Sequence, residues 1–447
     1  MGRKWLALIL LVQALLSLRL RNTVFQDEAL YLWAGHLELG RGSEVEFVRY
    51  FSGSPYLYPP LGALADAAGG LAGARALSLA FMLGATALAW SLTRRLAGEA
   101  AAPWAAAVFA ILPSTPFLGN FATFDAPALF LLALAARLAA DERWWWAAGP
   151  AGALAAGTKY GAALYLPTIA LLAVLASGGG ARRWVRGPVV AGVALGGLAA
   201  LLAATGAWDA LSSTTTGRPA GGTPAGLLLT ESAQWGGFLL LLAVIGAAAA
   251  RTPIGWILCA TALLAPLYQL HLHSDTSLHK HIGFGLWFAA PMAGAALAAL
   301  PRRWWAAALL VAPLLTGIYQ AGDLYHRWPG TAALAEAVRP YVKPGARLFA
   351  EPSEVLPYTF RAAYPSDAWV NVYWFDYRGL RQPDSYPQAV RDGHWDAVVL
   401  DGRTRPALSR ALEAALRATP SYQRVTTLPW RTSTARGTFQ LWIRTTP

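Results

Sequence analysis

The sequence predicts a polytopic α-helical membrane protein with a small α/β domain at its C-terminal end. Of the 447 residues, 56% are hydrophobic and only 13% charged, against about 25% charged in a soluble domain. Mean hydropathy is +0.39. Apolar runs of helical length recur from the N-terminus to residue 321, and near Asp323 the pattern changes to short strands and amphipathic helices.

The first run, Met1 to Leu20, starts with Arg3 and Lys4 and has no small-residue cleavage site before Arg19 and Arg21. It therefore reads as a retained first helix. Further runs at 75–93, 101–118, 126–140, 144–158, 161–177, 188–206, 236–250, 253–270, 282–300 and 304–321 bring the expectation to about eleven transmembrane helices. Small residues four apart, Gly149, Ala153 and Gly157 and then Gly192 and Gly196, predict close helix packing.

With the N-terminus in the cytoplasm, the loops on that side hold Arg94/Arg95, Arg143, Arg182/Arg183/Arg186, Arg251 and Arg302/Arg303, as the positive-inside rule requires. Trp144 to Trp146 and Trp304/Trp305 sit beside these arginines, as indoles do at the headgroup level. The net charge of +12 is thus a matter of topology, and no nucleic-acid partner is expected. Only four of the 36 basic residues are Lys, in a chain rich in Ala and Gly, which suggests GC-rich bacterial coding and hence a bacterial plasma (inner) membrane. Cys259 is the single cysteine, which excludes an intrachain disulfide, a Cys-based zinc site and a thiol redox pair.

Acidic residues sort to the other side. Before residue 323 only Glu99, Asp141 and Glu142 fall in the cytoplasm, whereas Asp27, Glu28, Glu38, Glu44, Glu46, Asp66, Asp125, Asp209, Glu231 and Asp275 fall in or near outer loops. An odd number of spans also places the C-terminal part outside. The expected division is a membrane domain over 1–322 and an extracytoplasmic α/β domain over 323–447. In the latter, Arg347 to Glu351, Ala397 to Asp401 and Phe439 to Ile443 read as strands and Pro406 to Ala418 as a helix, with no phosphate-loop or dinucleotide fingerprint.

The first outer loop, 22–74, is long, and such loops are commonly functional. From Asp27 to Leu39 it suits an amphipathic helix lying in the interface, with Asp27 and Glu28 at its start. Asp27 either caps that helix or acts as a general base on a hydroxyl. Asp125, in Thr123-Phe124-Asp125-Ala126-Pro127, opens a span on the same side and reads either as a cap or as a second functional carboxylate. Lys159, in Gly157-Thr158-Lys159-Tyr160, can snorkel to headgroups or hold a ligand phosphate. The densest polar cluster, His271 to His281, contains four His, Asp275 and Lys280, but no helical zinc spacing. Four His and one Asp could ligate a metal, but a cationic phosphate site around Lys280, with His279 and His281, is the better reading; the cofactor is open, a divalent metal being allowed and not required by the sequence.

Together Asp27-Glu28, the Thr-Phe-Asp-Ala-Pro of 123–127, Gly-Thr-Lys-Tyr at 157–160 leading to Pro167, and Lys280 opening a helix that reaches Ala-Ala-Pro at 289–291 resemble the protein mannosyltransferase and aminoarabinose transferase superfamily. The resemblance spans roughly residues 5 to 320. It implies a GT-C fold and transfer of one sugar from a polyprenyl-phosphate carrier to an extracytoplasmic hydroxyl of a glycan, lipid or protein, with inversion. By the same analogy Asp27 matches the first-loop catalytic residue, Asp125 the second acidic position, and Lys159 a cation near the donor phosphate. One departure stands out. Where aminoarabinose transferases end the first loop with Glu-Lys-Pro, this chain has Leu57-Tyr58-Pro59-Pro60, so their phosphate-binding Lys and metal-binding Glu have no counterpart here. The rival class is a transporter or flippase of lipid-linked cell-envelope precursors. Such proteins tend to carry repeat symmetry, interrupted helices and midplane ionisable residues, none of which the sequence displays.

Overall fold

The computed structural model describes residues 2–41, 51–176, 180–181, 183–362, 369–373 and 375–445; Glu44, Glu46 and Arg182 lie outside them. The chain divides into two compact units, Met1–Leu20 with Glu38–Gly322, and Arg21–Leu37 with Asp323–Pro447. The start of the first outer loop therefore packs with the C-terminal segment.

The helices run in order α1 (Gly2–Ser17), α2 (Gln26–Arg41), α3 (Tyr58–Ala97), α4 (Ala102–Ala110), α5 (Ser114–Leu118), α6 (Asp125–Ala139), α7 (Ala148–Thr158) and α8 (Leu166–Leu175). There follow α9 (Arg183–Thr205), α10 (Trp208–Thr214), α11 (Ala225–Ala250), α12 (Pro253–Ala262), α13 (Leu264–Leu272), α14 (Leu278–Ala298) and α15 (Arg303–Tyr325). Among the described residues six segments are long and apolar enough to cross a membrane: α3, α9, α11, the α12–α13 pair, α14 and α15. The other predicted spans are the shorter helices α1, α4 with α5, α6, α7 and α8. This is a multi-pass membrane protein. Its helices are interrupted more often than the apolar runs suggested, and proline explains two of the breaks. Pro116 and Pro266 have no N–H to give to the carbonyls of Leu112 and Ala262, and α4 and α12 end just before those points. In α3 the break is at Gly69 and Gly70, the latter at φ 61°, so that α3 is two helices joined by a kink.

In the first unit α14 is the most enclosed span. Its Trp287 Nε1 donates to the Ala85 carbonyl of α3 (2.9 Å). A Cβ on Gly294 would stand 2.6 Å from the Ala101 carbonyl, so glycine is what lets α14 come that close to the start of α4. The Gly149 expectation holds, since a Cβ there would press on Val193 of α9 at 2.7 Å. Gly192 and Gly196, however, face open space, and the seam on α9 runs instead through Val190, Ala194, Leu198 and Gly197. Trp144, Trp146, Trp304 and Trp305 are exposed, as interfacial anchors would be.

The second unit continues with α16 (Ala332–Val338), β1 (Leu348–Ala350), α17 (Val355–Thr359), β2 (Trp369–Val370), α18 (Ser385–Arg391), β3 (Ala397–Leu400), α19 (Pro406–Ala418), β4 (Tyr422–Arg431) and β5 (Arg436–Arg444). The sheet order is β2-β1-β3-β5-β4, with the first three strands parallel and β5 and β4 antiparallel to their neighbours. β1 and β3 are buried at every position, as parallel strands covered on both faces are, which is why they read as unbroken apolar runs. α19 begins with Pro406 at its first turn and buries Leu408, Leu412 and Leu416 at intervals of four. The segment before α2 is stitched into this unit. Asn22 Nδ2 donates to the Trp328 carbonyl (2.9 Å), Trp328 Nε1 donates to the Thr23 carbonyl (2.8 Å), and the Phe25 and Trp328 rings lie 5.0 Å apart.

Candidate active site

In the first unit the structure gathers two of the expected residues, Lys159 and Lys280, around a third, the Asp125 carboxylate. Asp125 is the first residue of α6, yet it does not cap the helix: the N-cap is Phe124, with no side-chain cap bond. Its carboxylate turns inward instead. Oδ1 pairs with Lys159 Nζ. Oδ2 accepts from Thr123 Oγ1 (2.8 Å) and lies 3.8 Å from Lys280 Nζ. Asp125 is 1% exposed, Lys159 6% and Lys280 7%, so all three charges are withdrawn from water. Three ionised groups persist at such depth only because each faces an opposite charge. Aromatic rings complete the enclosure: Lys159 Nζ lies 5.3 Å from the ring centroids of both Phe124 and Phe284, and Lys280 Nζ 5.4 Å from that of Phe121.

Local backbone aims Lys159 inward. α7 stops at Thr158, Lys159 is extended (φ −142°, ψ 115°), and a 3₁₀ turn takes over from Tyr160 to Tyr165. The chain at 52–54 runs alongside this break. Ser54 N donates to the Gly157 carbonyl (2.7 Å) and Tyr160 N donates to the Ser52 carbonyl (2.8 Å). Gly53 sits between these bonds, and a Cβ on it would be 2.0 Å from the Thr158 carbonyl. Gly53→Ala should therefore push the segment off the break, lowering stability by about 1 to 3 kcal/mol and loosening Lys159. Thermal unfolding and polyprenyl-phosphate binding of the purified variant check this.

The remaining expected residues are arranged around this centre with different surroundings. His281, within electrostatic reach of Asp125, has its Nδ1 2.9 Å from Gln269 Nε2. His279 packs between the rings of Phe117 (5.6 Å) and Trp235 (5.7 Å). Tyr160 is buried, and its hydroxyl has no hydrogen-bond partner among the described residues. His271 and His273 are exposed, and no three His, Cys, Asp or Glu side chains among the described residues converge to hold a metal. Sequence reasoning missed Gly53 and the rings of Phe121, Phe124 and Phe284. An aromatic residue in an apolar span carries no signal that separates it from the core.

The acidic pair of the first loop belongs to the second unit. Glu28 is 0% exposed and occupies the third position of α2, from which Oε2 accepts the Phe25 N–H at the N-cap (2.9 Å). That is the reach-back half of a capping box. Glu28, expected among the catalytic carboxylates, thus has a structural task, and Asp27 stands partly exposed in the same turn.

The same unit holds buried carboxyls that the sequence did not single out. Glu351 accepts from the backbone N–H of Asp401 (2.5 Å) and of Gly402 (3.0 Å) and from the Ser409 hydroxyl. Burial, reinforced by the Asp401 charge, pushes it up to about 8. Glu354 accepts from Asn371 Nδ2 (3.3 Å), and burial, reinforced slightly by the Asp27 charge, pushes it up to about 7. Both folded-state values lie above the ordinary value of 4.5. The folded unit therefore holds protons that the unfolded chain releases, and this stabilisation, complete below 4.5, fades as pH rises toward 7 and 8. Glu354→Gln cannot ionise, and it should flatten part of that decline in a pH series of melting temperatures.

Comparison with known proteins adds to this geometry. A family model described as dolichyl-phosphate-mannose-protein mannosyltransferase matches residues 66–208. No curated protein matches the chain by sequence. Among solved structures, ArnT from Cupriavidus metallidurans in the apo state is similar at 17% identity and a TM-score of 0.67, covering 98% of this chain and 97% of that one. ArnT bound to undecaprenyl phosphate is similar at 18% and 0.65, with the same coverage. The archaeal oligosaccharyltransferase AglB from Archaeoglobus fulgidus, in complex with an inhibitory peptide and a dolichol-phosphate, is similar at 12% and 0.56, covering 98% of this chain and 74% of that one. The resemblance to the mannosyltransferase and aminoarabinose transferase superfamily is upheld, and the fold is that of a GT-C glycosyltransferase with a C-terminal domain.

Proposed function

We propose that this chain, built on the GT-C fold, moves one sugar from a polyprenyl-phosphate carrier to an acceptor hydroxyl on the extracytoplasmic side of a bacterial plasma membrane, with inversion at the anomeric carbon. The observation that carries the reading is the buried pair of lysines that meet at the Asp125 carboxylate. Two ammonium groups brought together in an apolar enclosure suit a lipid-borne phosphate. The complexes of ArnT with undecaprenyl phosphate and of AglB with a dolichol-phosphate support a donor of that class.

In this reaction Asp27 takes the proton of the acceptor hydroxyl as its oxygen bonds to the anomeric carbon. The bond from that carbon to the phosphate oxygen breaks, and Lys159 and Lys280 stabilise the charge gathering on the departing polyprenyl phosphate. Asp125 holds the two lysines in place, with His281 and Tyr160 beside them on the donor side. Glu28 shapes the turn that presents Asp27. Nucleotide sugars are cytosolic, so an outward site has to receive its sugar on a membrane lipid. The acceptor is a glycan, lipid or protein hydroxyl.

Binding of the carrier tests the reading. Undecaprenyl phosphate should raise the melting temperature of the purified protein where undecaprenol does not, and Lys280→Met should remove the difference while leaving the closer Lys159–Asp125 pair intact. Equal effects of the two lipids would overturn the phosphate assignment. Orientation has its own check. In a background with Cys259 replaced, a cysteine at Thr276 should react with an impermeant thiol reagent from outside the cell and one at Ala181 should not.

A further inference from the structure

Inside the second unit the β4–β5 hairpin runs past the end of its neighbour. β3 stops at Leu400, which pairs with Gln440, so β5 from Arg436 to Phe439 has β4 on one side and, among the described residues, no strand on the other. A cleft of about 480 Å³ opens there, walled by the turn after β3, the start of α19 and the overhanging hairpin. That volume is within the about 300 to 1,000 Å³ usual for small-molecule sites, and the carboxyl end of a parallel strand is where α/β sheets take their ligands. The turn is tied down from below. Asp401 Oδ1 accepts from the N–H groups of Arg403 (2.7 Å) and Thr404 (2.8 Å), and the buried Glu351 carboxyl accepts from the Asp401 and Gly402 N–H groups and from the Ser409 hydroxyl. A wall fixed in this way loses little freedom when it binds.

The lining selects the ligand. It carries charges of both signs, Arg403 and Arg436 beside Asp401 and Glu413. A phosphate would meet carboxylates as well as arginines, whereas a neutral ligand with many hydroxyls can accept from the one and donate to the other. Arg436 and Thr438 are exposed and have no side-chain hydrogen bond among the described residues. Arg403 gives one nitrogen to the Arg327 carbonyl (2.9 Å) and keeps others for a ligand. Trp430 adds an apolar wall. Its indole packs on Gly437, where a Cβ would stand 2.4 Å from the ring, and an aromatic surface suits the C–H face of a sugar.

We propose that this cleft is a saccharide site that holds a sugar unit of the acceptor, which makes the acceptor a glycan or a molecule carrying one. The inference rests on the transferase reading given above. The donor's own sugar has to stand at the reacting carbon beside its phosphate, so a separate sugar site belongs to the acceptor. No bond forms or breaks in the cleft; it holds the acceptor while one of its hydroxyls reacts elsewhere.

The test uses the full-length protein in nanodiscs prepared without glycoside detergent, applied to an array of neutral bacterial glycans with inorganic phosphate as competitor. At least one glycan should be retained, and phosphate should not displace it. Arg436→Ala should weaken retention about tenfold, the worth of one charge-assisted hydrogen bond, and Thr438→Val by a smaller factor. Both side chains are exposed, so the melting temperature should not change. No retained glycan, retention that phosphate abolishes, or retention undiminished in both variants would overturn the site. Retention is read without any transfer, so it fails separately from the reaction. With the retained glycan as acceptor and a panel of polyprenyl-phosphate sugars as donors, Arg436→Ala should raise the acceptor KM and leave the donor KM as it was; a rise in the donor KM instead would overturn the acceptor role. If the glycan is retained and no donor is consumed, the transferase reading falls and the acceptor role falls with it, while the saccharide site stands.

Discussion

Asp27→Asn should yield a protein that inserts, folds and binds polyprenyl phosphate but transfers sugar about 10² to 10⁴ times more slowly, the range in which general-base assistance usually lies. A neighbouring residue supports the fold of this turn. The hydrogen bond that caps α2 belongs to Glu28, whose carboxylate reaches the Phe25 amide, and Asn at position 27 leaves it in place. Asn also preserves the size and one acceptor oxygen of the side chain it replaces. Glu28→Ala should show the converse, a loss of stability from the missing cap without a specific loss of proton transfer. Transfer rates at saturating donor and acceptor, read beside melting temperatures, distinguish the two outcomes.

Lys159→Met should affect two properties at once. Its Nζ is the nearer partner of a carboxylate that is itself almost fully enclosed, and Lys280 at 3.8 Å is a weaker substitute. Removing the nearer partner leaves Asp125 with Lys280 at 3.8 Å, so the cost should fall below the about 3 to 5 kcal/mol of a buried charge left with no partner at all. The variant should therefore unfold at a distinctly lower temperature as well as lose affinity for the phosphate of the carrier. The double variant Asp125→Asn with Lys159→Met removes both of these charges but also takes the Asp125 carboxylate from Lys280, so it should regain only part of the stability and none of the carrier binding. If the double variant bound polyprenyl phosphate as well as wild type, Lys159 would be a counter-ion for Asp125 and nothing more.

Much of this arrangement was legible because charges are rare in the chain. Asp125, Lys159 and Lys280 stand out in apolar runs, and the arginine-rich loops predict one side of the membrane for all three. Their pairing was not legible, because the three come from the start of α6, the end of α7 and the start of α14, and no local pattern records which of two lysines a distant carboxylate meets. The same holds for Gly53, whose constraint is a carbonyl about a hundred positions away in the chain. In the second unit the bounds of α19 were readable from Pro406 and leucines four apart, and β1 and β3 from unbroken apolar runs. β4 was not recognised. It lies at the edge of the sheet with most of its positions wet, so Tyr422 to Arg431 never shows a sustained apolar alternation. Glu354 carried no signal either, since a single carboxylate in a domain of ordinary polarity looks like surface until its burial is known.

The most direct measurement follows a labelled sugar. The purified protein, reconstituted in liposomes, is given a panel of polyprenyl-phosphate sugars and a membrane extract as acceptor source, and the products are separated by mass. A GT-C glycosyltransferase working through Asp27 predicts that for one donor the label leaves the carrier, appears on an acceptor with inverted anomeric configuration, and releases free polyprenyl phosphate, with wild-type protein and not with Asp27→Asn. Passage of the intact labelled lipid from one leaflet to the other, with the sugar still on its phosphate, would contradict that account and assign the chain to lipid transport.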